Sequence, residues 1–255
     1  MNHLLKAVVG CVLLLSLNAF AAQPLRIGVD PNLKPFVYVQ SDGLVHGFDV
    51  DIAKNVCDDL GRPCVFMQMD WDGLLPSLQS GKVDVIISAM SITHEREKVV
   101  DFTQSYYKSP SQFMLREEDP LPTKGDTIGV LRGSVDEIYA GGVLVREGIK
   151  VLSYDNQVNA MLDLKSGRIK AVLGPKIELQ AGLVDTPEGK GFVLKGPLYD
   201  DPMYFGPGVG MAVRKGEEEL LEALNQSILA QRQDGRWQAA SDKYFNFDIW
   251  AYWDE

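Results

Sequence analysis

The chain has 255 residues, of which 25 are basic and 35 are acidic, for a formal net charge of −10. This length suits two small domains better than one. The acidic balance and the lack of a clustered Lys/Arg patch argue against nucleic acid and anionic lipid as partners.

The first 21 residues are typical of an export signal. They carry Lys6, an apolar run over residues 7–17 and the small-residue pattern Ala19-Phe20-Ala21. A segment of this kind is removed on export and is too short to span a membrane. We therefore expect residues 1–21 to be a signal peptide, with Cys11 discarded with it, and the mature protein to be soluble.

Strands alternate with helices along the rest of the chain, which predicts an α/β fold with mostly parallel sheets covered on both faces. The first half predicts strands at Leu25–Val29, Cys64–Met69 and Val83–Ile87, and helices at Phe48–Leu60 and Gly73–Gln79. The second half predicts strands at Thr127–Leu131, Lys150–Leu152 and Ala171–Leu173, and helices at Val135–Glu147 and Gln157–Ser166.

Two extended segments, residues 106–114 and 203–213, separate these halves. Two such crossings indicate one lobe built from both chain ends and a second lobe inserted between them. We predict that residues 22–110 and 207–255 form lobe 1 and that residues 111–206 form lobe 2.

Two cysteines, Cys57 and Cys64, remain after the signal is removed. In an oxidising compartment their natural state is a disulfide, which would join the end of one helix to the following strand. Two thiols without nearby histidines supply too few ligands for zinc. We expect neither a metal nor a cofactor.

The stretch from Ser88 to Arg96 places hydroxyls and one arginine just after a predicted strand, where a helix should begin. A guanidinium beside hydroxyls and unpaired backbone amides suits a carboxylate ligand. Alternatively, Arg96 pairs with Glu95 or Asp101 on a solvated helix. The stretch alone leaves both interpretations open.

Ordered motifs along nearly the whole mature chain resemble the family 3 extracellular solute-binding proteins, the periplasmic receptors of polar amino-acid ABC transporters. They include LRIGVD at 25–30, GFDVDIAKNVC at 47–57, SITHERE at 91–97, GVLRGS at 129–134 and QDGRW at 233–237. The resemblance is strongest to receptors for lysine, arginine, ornithine and histidine, and it includes the Cys-x6-Cys disulfide.

The resemblance implies a type II periplasmic-binding-protein fold, in which two lobes joined by two hinge strands close on a ligand. It also implies a monomeric periplasmic receptor that presents the closed form to an ABC permease in the inner membrane. Closure of this kind depends on contacts that the ligand makes only in the closed state.

The site residues that the resemblance implies fall on both lobes. Arg96 and Ser91 correspond to positions at the ligand's carboxylate, and Ser88 lies beside its side chain. Asp30 corresponds to the acid that receives a distal cation, and Trp71 to an aromatic wall over the aliphatic stem. The second lobe contributes Leu131 and the loop of Ser134, Val135 and Asp136, which supplies backbone N–H groups.

Four positions depart from the family pattern. Ala89 replaces a serine, Leu33 a tyrosine and Val135 a threonine, while Gly174-Pro175 occupies the place of an aspartate that pairs with the α-ammonium. Burying an ammonium without an acceptor costs several kcal/mol. A free L-α-amino acid would therefore bind poorly unless another acid substitutes, the candidates being Asp136, Glu178 and Asp200.

Three functional hypotheses follow. The first is a receptor for a ligand without a free α-amino group, namely an ω-amino acid, an opine-like compound or a guanidino acid. The second is a receptor for basic L-amino acids. The third is an enzyme that resembles the cyclohexadienyl dehydratases of the same fold, with Glu178 as a general acid; we expect a receptor rather than an enzyme.

Overall fold

The computed structural model describes residues 23–250, which form two α/β lobes, each around a five-stranded sheet. The predicted signal peptide and residues 251–255 lie outside the described residues. Within residues 23–250, no helix combines the length and the apolar character that crossing a membrane requires.

The first sheet combines strands from both ends of the chain. In spatial order its strands are Cys64–Gln68, Leu25–Val29, Val85–Ile86, Ala212–Arg214 and Val100–Phe102. The first three run parallel, whereas Ala212–Arg214 is antiparallel to both of its neighbours. A strand from the C-terminal part of the chain thus lies inside a sheet built from the N-terminal part.

The second sheet comes from one continuous part of the chain. In spatial order its strands are Lys150–Tyr154, Thr127–Leu131, Ala171–Pro175, Ser111–Arg116 and Phe192–Tyr199. Successive side chains of a strand point to opposite faces, so Phe113 and Leu115 enter one apolar core and Met114 enters the other. Both faces of this sheet are therefore buried, as the sequence predicts.

A small antiparallel sheet and several helices complete the first lobe. The sheet consists of Asn32–Leu33, Val37–Val39 and Val45–His46. The helices are Phe48–Leu60, Trp71–Gln79, His94–Glu97, Glu218–Asp234 and Arg236–Ser241. The Cys57–Cys64 disulfide joins the first of these helices to the strand that follows it, which confirms the predicted pairing.

The second lobe has shorter helices. They are Val135–Tyr139, Gln157–Lys165, Lys176–Leu179 and Pro202–Phe205, with π-helical turns at Ala140–Leu144 and Gln180–Val184 and a 3₁₀ turn at Pro187–Gly189. The predicted helix Val135–Glu147 therefore keeps its α-helical form only to Tyr139. The wider turn that follows contains Gly141 and Gly142, which are poor helix formers.

The prediction of an extended segment over residues 203–213 is wrong for its first part, because Pro202–Phe205 is a helical turn. The Asp201 side chain accepts a hydrogen bond from the Met203 amide at 2.9 Å, and Pro202 occupies the first helical position. Both features favour helix initiation. The lobe boundaries at 110/111 and 206/207 remain predictions.

Candidate functional site

Arg96 lies in the short helix His94–Glu97, which begins after the loop that follows Val85–Ile86. The Thr93 hydroxyl accepts a hydrogen bond from the Arg96 amide at 3.3 Å and so caps this helix. The Arg96 side chain turns inward, and only 7% of the residue is exposed. The pattern SITHERE therefore produces a buried guanidinium rather than a solvated one.

The Arg96 guanidinium bridges the two lobes. Its Nη1 donates to the Ser91 carbonyl at 2.8 Å, and its Nη2 donates to the Gly133 carbonyl at 3.2 Å. The guanidinium carbon lies 5.4 Å from the centre of the Trp71 ring, within cation–π range. Burial lowers the pKa of Arg96 to about 10, although Asp136 acts in the opposite direction. The group therefore stays charged at neutral pH.

Ala89 adopts a backbone conformation that is unusual for a residue with a side chain, with φ of 50°. Its amide donates to Asp49 Oδ2 at 2.6 Å, and the Tyr106 hydroxyl donates to Asp49 Oδ1 at 2.9 Å. Asp49 is fully buried, and burial raises its pKa to about 7 despite these two hydrogen bonds. Asp49 thus holds the strained turn at the site, a role that we did not predict from the sequence.

Asp136 comes from the second lobe, in the first turn of Val135–Tyr139, which Ser134 caps by accepting from the Glu137 amide at 3.2 Å. Only 1% of Asp136 is exposed, and its Oδ1 has no hydrogen-bond partner among residues 23–250. Burial raises its pKa to about 6, while Ser111 and Arg96 act to lower it. The Ser134 amide is already committed, because it donates to the Leu131 carbonyl at 3.2 Å.

Glu178 lies one turn beyond Pro175, in the helix Lys176–Leu179. Only 2% of it is exposed, and its Oε2 accepts a hydrogen bond from the Ser109 hydroxyl at 3.0 Å. Burial raises the pKa of Glu178 to about 8, and the like charges of Asp136 and Asp49 add to the shift. At neutral pH this carboxyl is therefore mostly protonated.

These groups line one small cavity of about 30 Å³ between the lobes. Its walls are formed by Leu33, Trp71, Ala89, Ser91, Arg96, Leu131, Ser134, Val135, Asp136, Gln157, Pro175 and Glu178. Ten of the twelve predicted site residues are among them, together with Gln157 and Glu178. A space of this size holds about one water molecule, so an amino acid fits only if the walls move apart.

Asp30 and Ser88, the other two predicted residues, contact each other but do not line this cavity. The Asp30 amide donates to Ser88 Oγ at 2.8 Å, and Asn32 donates twice to Asp30 Oδ1, at 3.0 and 2.8 Å. Asp30 Oδ2 is buried without a hydrogen-bond partner in the described part of the chain. Burial raises the pKa of Asp30 to about 6, despite the bonds from Asn32.

One remaining candidate acid and one larger groove lie outside this site. Asp200 is exposed and does not line the cavity. A larger groove of about 750 Å³ runs along the C-terminal segment and the helix Lys176–Leu179, but it contains none of the predicted site residues. Of these two spaces, only the smaller cavity brings buried groups of both charge signs together, so we place the site there. Across residues 23–250, no group of three His, Cys, Asp or Glu side chains is arranged to hold a metal ion.

The arrangement suits a small ligand that carries charges of both signs. A buried guanidinium can bind a carboxylate through paired hydrogen bonds, and the nearby carboxyls can accept from a cation. Gln157 would not have been selected from the sequence, because its only signal is its position as the first residue of the helix after Asn156.

The chain matches the sequence model of the bacterial extracellular solute-binding proteins, family 3, over residues 25–247. It is 42% identical to an L-arginine-binding protein of Pseudomonas aeruginosa over 93% of this chain and 94% of that protein. It is 38% identical to a histidine-binding periplasmic protein of Escherichia coli K12 over 91% and 92% of the two chains. An ancestral arginine-binding protein solved with arginine has a TM-score of 0.81 and 34% identity, over 88% of this chain and 98% of its own.

Proposed function

Because the chain belongs to the bacterial extracellular solute-binding proteins of family 3, we propose that it captures a cationic amino-acid-like ligand in the periplasm. It then delivers the ligand to an ABC importer in the inner membrane. The observation that carries this proposal is the buried Arg96 guanidinium, which shares one inter-lobe cavity with the buried carboxyls of Asp136 and Glu178. The type II two-lobe fold provides the closing motion.

In this proposal the ligand's carboxylate binds Arg96 and its distal cation binds Asp30. Arg96 keeps its charge when buried, and the unpartnered Oδ2 of Asp30 supports a cation partner. The Trp71 ring lines the cavity and suits an aliphatic stem between the two charged ends. L-Arginine has all three parts, and the relative in Pseudomonas aeruginosa is named for binding it.

A second candidate ligand class lacks a free α-amino group: ω-amino acids, opine-like compounds and guanidino acids. The observation that favours it is Pro175, which lines the cavity where the resemblance implies an acid for the α-ammonium. Without a carboxylate at this position, a ligand that has no α-ammonium avoids the cost of burying an unpaired cation.

Isothermal titration of unfolded, dialysed and refolded protein tests the proposal. The ligands are L-arginine, L-ornithine and γ-aminobutyrate, with L-glutamate as a matched anionic control. We expect arginine or ornithine to bind at micromolar concentration or below and glutamate not to bind. Tight γ-aminobutyrate binding would support the second ligand class, and binding of glutamate alone would refute a cationic ligand.

The remaining parts of the proposal concern processing and partners. We propose that residues 1–21 are removed on export to the periplasm, that the mature protein is a monomer, and that it docks to a permease. We also propose that the protein performs no turnover, although Glu178 has the raised pKa of a general acid. Formation of phenylpyruvate from prephenate by the purified protein would contradict a purely receptor role.

A further inference from the structure

Asp136 and Glu178 reach the cavity from separate elements of the second lobe. Asp136 belongs to Val135–Tyr139, whereas Glu178 belongs to Lys176–Leu179 after the strand that ends at Pro175. Both are at least nine-tenths buried, at 1% and 2% exposure. Both line the cavity that Arg96, Ser91 and Trp71 also line.

Neither carboxyl has a salt-bridge partner within the described range, although Arg96 acts on Asp136 and the Ser109 hydroxyl donates to Glu178. No salt bridge within 4.0 Å joins Asp136 or Glu178 to a cation among residues 23–250, and Asp136 Oδ1 accepts no hydrogen bond there. A buried carboxylate without a partner is costly, and two neighbouring carboxyls raise each other's cost of ionisation. A cation placed between them would lower the cost of ionising both carboxyls.

Asp136 and Glu178 are the carboxyls that this cavity offers in place of an acid at Pro175. Pro175 has no donor or acceptor in its side chain, yet Glu178 follows it by three residues and enters the same cavity. Asp200, the other acid that the sequence offered, stays exposed and outside the cavity. The two acids that remain are therefore the ones that can meet an ammonium inside the site.

We propose that Asp136 and Glu178 together form an ammonium subsite, which receives the α-ammonium of an L-amino acid whose carboxylate binds Arg96. This inference rests on the proposed receptor function, and it makes basic L-α-amino acids the preferred ligand class. Glu178 is mostly protonated at neutral pH in the free protein, so an ammonium that binds beside it displaces a proton. The groups that act on Glu178 are Ser109, Asp136 and Asp49.

The test compares two ligands that differ only at this position: L-arginine and 5-guanidinopentanoate, which is arginine without its α-ammonium. Titration of the wild type should give affinity for arginine at least about 30-fold higher. Asp136→Asn should lower arginine affinity by about 10-fold or more and change 5-guanidinopentanoate affinity by less than about 3-fold. Asp200→Asn is the matched control and should change neither.

A second readout separates a subsite from a merely structural role. Titration of the wild type with arginine at pH 7, in two buffers of different ionisation enthalpy, should show release of up to one proton per ligand. Glu178→Gln should abolish that release, while 5-guanidinopentanoate should release little proton from either protein. Thermal unfolding of each ligand-free variant checks that it is folded.

The outcomes separate the two proposals. If the wild type binds both ligands equally and Asp136→Asn weakens them equally, the subsite is refuted while the receptor function stands. If the wild type binds neither ligand, the proposed cationic ligand is refuted, and the subsite with it. If only arginine is weakened and proton release depends on Glu178, both proposals are supported.

Discussion

The buried carboxyl of Asp49 should make the stability of the ligand-free protein fall as the pH rises. Burial raises the pKa of Asp49 from its ordinary value of 3.8 to about 7, although Ala89 and Tyr106 donate hydrogen bonds to it. Between these two values the folded protein holds a proton that the unfolded chain has lost. Stability from this group is therefore greatest at low pH and is lost as the pH rises towards the folded pKa.

The size of the effect follows from the two pKa values. With an unfolded pKa of 3.8 and a folded pKa of about 7, the Asp49 contribution falls by about 2 kcal/mol between pH 5 and pH 7. This corresponds to about 4–8 °C in Tm for a chain of this size. The tyrosines beside Asp49 do not titrate in this range, because burial raises the pKa of both Tyr106 and Tyr107 well above its ordinary value.

Urea unfolding at pH 5, 6 and 7 measures the effect in the wild type, in Asp49→Asn and in Asp58→Asn. Asn keeps the size of Asp49 and an acceptor oxygen, but it does not ionise. Asp58 is an exposed acid on the same helix and serves as the matched control. We expect the wild type and Asp58→Asn to lose about 2 kcal/mol more than Asp49→Asn over this range. Equal pH slopes in all three proteins would refute the reasoning, because Glu178 and the other buried acids remain in each of them.

Three further predictions concern single contacts. Replacing Arg96 by Met should lower arginine affinity by at least about 100-fold in titration, whereas the exposed Arg132→Met should retain binding; equal losses would contradict a specific carboxylate clamp. Replacing both disulfide cysteines by Ser should lower the free energy of unfolding by about 2 kcal/mol and the Tm by about 4–8 °C. An unchanged Tm would mean that the bridge is absent in solution. Gly206→Ala should lower the free energy of unfolding by about 3 kcal/mol or more, because the new Cβ would lie 1.6 Å from the Ile92 carbonyl oxygen. Gly216→Ala is the control and should cost less, because its Cβ would have nothing within 4 Å. Similar Tm losses in the two variants would exclude the clash.

The sequence predicts the fold best where apolar spacing is clear and local. The helix Phe48–Leu60 and the strand Thr127–Leu131 have the predicted bounds in the structure. In the helix, the buried residues Phe48, Ile52 and Val56 recur at four-residue intervals, which mark one helical face. Such a pattern depends on neighbours in sequence alone.

The missed elements depend on a few local residues or on backbone geometry. Pro202–Phe205 was predicted as extended because the glycines after it dominate the segment, although Asp201 and Pro202 together give a recognisable start for a helix. The π-helical turn at Ala140–Leu144 differs from an α-helix by one step of hydrogen bonding, which no spacing of apolar residues distinguishes.

The candidate site was predictable where a motif names the residue and not where a distant contact creates the role. Arg96 and Ser91 follow from SITHERE, and both line the cavity. Asp49 was not predicted, because its function depends on the Ala89 amide, 40 residues further along the chain. Glu178 was only one of three candidate acids, and its burial against Ser109 separates it from the exposed Asp200.

The placement of Ala212–Arg214 inside the first sheet bears on the order in which the chain folds. Strands within residues 111–199 supply the whole second sheet, so that lobe can form as soon as this stretch is available. The first sheet must wait for Ala212–Arg214 to enter between Val85–Ile86 and Val100–Phe102, which is a closure over a long loop. A chain that becomes available from its N-terminus onwards would therefore complete its inserted lobe before its terminal one. Until the last strand arrives, Val85–Ile86 would present an open edge, which is a template for pairing with another chain.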